Sequence, residues 1–90
     1  MELVYSKKFK NEAKKLVENK VNLKIKVNKV LRDFMEKGRE ASCYRKPLKG
    51  QWFGHEELQV GGDIRIIFRM NEDETRVVLE RIGSHSQLGL

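Results

Sequence analysis

Ninety residues allow one small domain, expected to cover residues 1–90, and leave no room for a second. No apolar run approaches the roughly 20 residues of a membrane span, and the opening MELVYSKKFK lacks the apolar stretch of a secretory signal. The single cysteine, Cys43, cannot close an internal disulfide, so a reducing cytoplasm is the expected location.

The net charge of +6 is unevenly placed. Residues 1–50 hold fifteen Lys and Arg against six acids, while residues 51–90 hold four Arg against seven acids, giving +9 and −3. A basic surface of this kind suits nucleic acid or an acidic partner. The alternative is simply a lysine-rich, solvated helical pair. Hydrophobic residues make up 39% of the chain, enough for a modest core, and their periodicity argues against disorder.

Glu2 to Tyr5 alternates as a short strand. Ser6 is a good helix N-cap, because its hydroxyl can accept from the free N–H groups of a first turn. A helix is expected from Lys7 to Asn19, with Phe9, Ala13, Leu16 and Val17 forming one apolar stripe. Asn19 and Asn22 bracket a break, and Asn22 is placed to cap a second helix over Leu23 to Lys37. That helix carries Val27, Val30, Leu31, Phe34 and Met35 on its stripe and stops at Gly38. Ile25 falls off the stripe and suggests a wider buried front. Two adjacent amphipathic helices form an antiparallel hairpin that needs a sheet to cover its apolar side.

Gly38 to Leu48 reads as a loop closed by the only proline, Pro47. Gln51 to Val60 reads as a strand bent near Gly54, followed by a turn at Gly61-Gly62-Asp63. Next comes a hairpin, with strands from Ile64 to Arg69 and Arg76 to Ile82 around the polar loop Asn71–Thr75. Strict alternation puts Arg65 and Arg69 on one face, away from Ile64, Ile66 and Phe68. On the second strand it groups Arg81 with Val77 and Leu79, opposite Val78, Glu80 and Ile82. Ser84 to Leu90 is a turn and an extended end. The order β-α-α-β-β-β implies an α+β fold, a helical hairpin packed on one face of a small, mainly antiparallel twisted sheet.

An arginine within an aliphatic hairpin costs stability unless it meets an anion. Arg65 and Arg81 on neighbouring strands, with His85 just beyond, are therefore candidates for a phosphate-binding face. The alternative is that these arginines pair with Glu56, Glu57 and Glu80 on a solvated sheet surface. Trp52 likewise has two readings, as a hydrophobic anchor of the sheet or as a base-stacking platform.

Leu48-Lys49-Gly50-Gln51-Trp52-Phe53-Gly54, then Glu57, Val60, Asp63-Ile64-Arg65-Ile66-Ile67-Phe68-Arg69 and Arg81-Ile82-Gly83-Ser84-His85-Ser86-Gln87-Leu88 resemble the RelE/ParE toxin superfamily, and within it the YafQ-like branch. The motifs run from about Lys46 to Leu88; the preceding strand and helices agree in order alone. Members of that superfamily are the toxin halves of toxin–antitoxin pairs. RelE and YafQ types cut mRNA in the ribosomal A site, and ParE types poison DNA gyrase. The resemblance implies that Arg81 and Arg65 hold the scissile phosphate, that His85 is the general acid for the leaving 5′ oxygen, and that Asp63 orients substrate or takes part in catalysis. Lys46 and Gln59 stand where the branch has histidines, and with Lys49 they are candidate substrate contacts. The aromatic that usually follows the final leucine is replaced by Gly89-Leu90, and His55 lies at a position the family does not use. The implied partners are a cognate antitoxin, the ribosome and mRNA, with no membrane.

This chemistry suits those residue types. The nucleophile, a 2′-OH, is already on the RNA, so no cofactor or metal is called for, and no His/Cys/Asp cluster has zinc-like spacing. The enzyme must align that hydroxyl, neutralise a phosphorane and deliver a proton. Guanidinium forks match phosphate oxygens and keep their protons, and an imidazole transfers protons near neutral pH. Without histidines at 46 and 59 the general base is not identified, since a lysine is normally protonated at neutral pH. The rival expectations are a gyrase-directed, ParE-like toxin and a relative that binds RNA or a partner without cutting.

Overall fold

The computed structural model describes all residues, 1–90. Strand β1 (Glu2–Tyr5) leads through Ser6 into helix α1 (Lys7–Val17), and helix α2 (Val21–Lys37) follows after a short break. A 3₁₀ turn at Gly38–Glu40 precedes strand β2 (Tyr44–Pro47), and a second at Gly50–Trp52 precedes β3 (Glu56–Gly61), β4 (Ile64–Met70) and β5 (Arg76–Ser84). The sheet order is β1-β5-β4-β3-β2, antiparallel except that β1 runs parallel to β5. This is the expected α+β arrangement with one strand more than the sequence suggested.

Each departure from expectation has a local cause. The Ser6 hydroxyl accepts from the Phe9 N–H as foreseen, but α1 ends two residues early. The chain reverses at Asn19, which adopts φ +59°, a conformation Asn tolerates better than most residues. Helix α2 therefore restarts at Val21, and its N-cap, Lys20, gives no side-chain hydrogen bond, so Asn22 is not the cap. Ile25 is 59% exposed, and the buried front of α2 is narrow: Val27, Leu31 and Phe34. Strand β2 escaped notice because it has four residues, two of them charged and one Pro47. As an outermost strand it leaves the missing proline N–H no partner to disappoint. The expected Gln51–Val60 strand begins only at Glu56, since Gly50–Trp52 coils and Gly54 turns with φ +91°.

The core lies between the helices and one sheet face. Phe9, Val27, Leu31 and Phe34 meet Leu58, Val60, Ile66, Phe68, Val77, Leu79 and Ile82 in one buried cluster. The rings of Phe34 and Phe68 are 4.8 Å apart at 56°, a tilted pairing that contributes beyond area burial. Ile67 and Leu88 are fully buried yet lie outside this cluster. They belong to the opposite face, where the C-terminal turn folds back and the Trp52 indole N–H donates to the Leu88 carbonyl at 2.8 Å. Trp52 thus acts as an anchor of the fold.

Candidate functional site

The face of the sheet turned away from the helices is set by register. Gln59, Arg65 and Gly83 are cross-strand partners, as are Glu57, Ile67 and Arg81, and paired residues share a face. A β-bulge decides the position of Arg81. Phe68 pairs with Leu79 but Ile67 pairs with Arg81, so Glu80 is an extra residue on β5. Strict alternation would have pointed Arg81 inward with Val77 and Leu79. The bulge instead sends Glu80 and Arg81 to the open face and returns Ile82 to the core. This corrects the expected grouping of Arg81, and sets its Cα diagonal to that of Arg65, at roughly 7–8 Å by sheet geometry, while its guanidinium turns towards α1.

His85 follows directly after β5. Its backbone N–H donates to the Asp63 carbonyl at 3.1 Å, which closes the end of the β4–β5 ladder at the turn holding Asp63. The imidazole is exposed, as is Asp63. The following turn is tied to itself: the Gln87 amide oxygen accepts from the Ser84 N–H at 2.8 Å, and the Gln87 N–H donates to the Ser84 hydroxyl at 3.1 Å. Gly83 leaves room for this, because a Cβ there would lie 3.1 Å from Gln87 Oε1. Gln59 shares the face with Arg65, and its amide reaches the Gly62 carbonyl at 3.4 Å. Lys46 and Lys49 are exposed but sit elsewhere, on β2 and just after it. Two strands separate β2 from β5, about 14 Å at ordinary strand spacing.

The open face carries acids as well as bases. Arg65 Nε lies 3.7 Å from Glu57, and Arg69 Nε lies 3.6 Å from Glu80, which also faces the His55 imidazole at 3.9 Å. Glu56 does not join them. It is buried on the helix side, where it accepts from Tyr44 and Arg39, and Arg39 also bonds Glu74. Of the pairings expected for Arg65 and Arg81, only that of Glu57 with Arg65 forms: Glu80 pairs with Arg69, Glu56 with Arg39, and Arg81 with none of the three.

One partner was not read from the sequence. Glu12 of α1 accepts from Arg81 Nε through both oxygens at 2.9 Å and from Nη2 at 2.7 Å. These bonds hold the guanidinium proton more tightly than usual, against the opposing effect of burial. Glu12 also accepts from the Ile82 N–H at 3.3 Å, on the stretch of β5 beyond the end of β1. A signal did exist: Glu12 is the only acid within α1, three residues after Phe9 and four before Leu16, so it borders the apolar stripe of a lysine-rich helix. Elsewhere, no three His, Cys, Asp or Glu side chains gather in a metal-holding group.

A two-helix layer on a five-stranded mixed sheet is the build of a RelE-like toxin. The chain is similar in structure to YafQ from Escherichia coli strain BL21(DE3) (TM-score 0.79, 20% identity, covering 99% of this chain and 98% of that one). It is also similar to a metal-bound toxin from Helicobacter pylori (TM-score 0.78, 31% identity, 98% of each chain). A third likeness is the heterotetrameric YoeB–YefM toxin–antitoxin complex from Staphylococcus aureus (TM-score 0.75, 16% identity, 94% of this chain and 97% of that one). No curated protein sequence matches. The model of the bacterial toxin of type II toxin–antitoxin systems, YafQ, matches residues 1–89. The chain belongs to the YafQ toxin family, and is the toxin of a type II toxin–antitoxin pair.

Proposed function

We propose that this toxin is an endoribonuclease that cuts mRNA in the ribosomal A site by attack of the 2′-OH on the adjacent phosphate. The supporting observation is the end of the β4–β5 hairpin: the Cα positions of Arg65 and Arg81 lie diagonally on neighbouring strands, and the next residue beyond β5 is the exposed His85. The 2′-OH releases its proton to solvent water as it attacks, Arg81 and Arg65 neutralise the phosphorane, and His85 protonates the departing 5′ oxygen. Asp63, whose carbonyl accepts from the His85 N–H, orients the substrate. Gln59 contacts the same strand of RNA, and Lys46 and Lys49 hold backbone phosphates farther along it. The site is the cytoplasm, where ribosomes work, and a cognate antitoxin of acidic character silences the toxin by covering its basic surface.

A second reading, binding without cleavage, draws support from the carboxylates already paired with both arginines, Glu12 with Arg81 and Glu57 with Arg65. A translating extract in which mRNA 5′ ends are mapped decides between them. Position-specific cuts are expected from the wild type, with losses of about 10²-fold or more in His85→Ala and Arg81→Ala. Intact mRNA with stalled translation would establish the binder. Intact mRNA with gyrase trapped in a parallel supercoiling assay would establish a gyrase poison.

A further inference from the structure

We propose that Glu12 is a positioning residue for Arg81: from α1 it grips the side edge of the guanidinium and leaves the end edge for a substrate phosphate. The inference rests on the reading of Arg81 as a phosphate ligand. Only Nε and Nη2 of Arg81 bond to Glu12, and Nη1 makes no hydrogen bond within the protein. A guanidinium held along its Nε–Nη2 edge still presents Nη1 and the second Nη2 hydrogen as a fork. The Glu12 carboxylate is itself pinned, because it also accepts from the backbone N–H of Ile82, the residue next to Arg81. Helix, strand backbone and guanidinium therefore form one fixed unit. Both side chains are largely withdrawn from water, at 20% and 25% exposure, so the pair is screened less than a surface pair.

The surroundings favour an anion as the next ligand. Arg81 opens on a cleft between α1 and the end of β5, whose remaining polar side chains are Lys15, Lys20 and Gln87. Glu12 is the only acid there, and Arg81 uses it. Charge is thus left over for a phosphate. The bulge at Glu80 makes the arrangement necessary: it moves Arg81 to the open face but fixes nothing beyond its Cα, and a long side chain left free would lose entropy on gripping the transition state.

The test compares wild type, Glu12→Gln, Arg81→Ala and the double variant. Glu12→Gln keeps an acceptor for the Ile82 N–H, and its thermal melt is expected to stay near that of the wild type. In the extract, cleavage at saturating ribosomes should fall about 10- to 100-fold in Glu12→Gln, with half-saturation changed by less than about threefold. Adding Glu12→Gln to Arg81→Ala should cost nothing more. The Arg81 Nε–H signal in NMR spectra of the isolated protein should be ordered in the wild type and averaged in Glu12→Gln. Faster cleavage by Glu12→Gln would mean that the carboxylate competes with phosphate, and would overturn the proposal. So would an unchanged Arg81 signal. If the wild type does not cut mRNA, the nuclease reading falls, yet the Glu12 proposal is still decided by titrating inorganic phosphate. Shifts at the Arg81 Nη groups should be weakened about tenfold in Glu12→Gln; equal binding would defeat the assignment.

Discussion

Ser6 serves two elements with one hydroxyl. It accepts from the Phe9 N–H, capping α1, and donates to the Glu80 carbonyl at 2.9 Å, on the bulged residue that has left the regular ladder. Ser6→Ala should therefore cost about 1–2 kcal/mol, read as a fall of several degrees in melting temperature. Tyr44 shows what burial does to a phenol. Desolvation first, then its hydrogen bond to Glu56, push its pKa above the usual value of 10.0. The folded protein then holds a proton that the unfolded chain releases, so this contribution is intact below about pH 10 and is lost as pH rises beyond it. Tyr44→Phe should flatten the alkaline decline seen in denaturation curves recorded from pH 9 to 11. A decline as steep as in the wild type would remove Tyr44 as its cause.

Among the elements, the end of α2 depends on one backbone conformation. Gly38 sits at φ 58° and ψ −131°, a region essentially open to glycine alone, and its N–H donates to the Phe34 carbonyl. A methyl group there would meet nothing within 4 Å, so sterics with neighbours are not the issue. Gly38→Ala should still lose about 1–3 kcal/mol in urea denaturation, all of it from backbone strain. The stop at Gly38 was legible because glycine signals it locally. The β5 bulge was not, because an extra residue in a strand becomes visible only against its partner: Val77 to Ile82 reads as plain alternation until β4 lies beside it. The start of α2 was misread for a similar reason, since Asn19 and Asn22 are equally plausible breaks and only the path of the chain chooses Asn19.

Across the whole molecule, charge separates from chemistry. The lysines crowd α1 and α2, while the proposed reacting groups lie on β4 and β5 and in the turns at their ends. Long-range attraction to RNA and the local chemistry should then respond differently to substitution. Lys46→Ala and Lys49→Ala should each weaken ribosome binding and lower the slope of log affinity against log salt by about one. Neither should change the positions of the cuts. Loss of cleavage at full ribosome occupancy would instead move these lysines into the reacting site.

The chain itself determined that two amphipathic helices would cover a twisted sheet, because periods of 3.6 and 2 are written in neighbouring residues and need no partner to be read. It also marked Arg65, Arg81 and His85 as unusual, since cations amid aliphatic strands require a reason. Only the tertiary structure decided which way Arg81 points and what holds it. Both follow from contacts between residues far apart in sequence: Ile67 opposite Arg81 across the bulge, and Glu12 reaching β5 from the first helix. Such pairings are fixed by how the sheet and helix meet in space, and no local pattern encodes them.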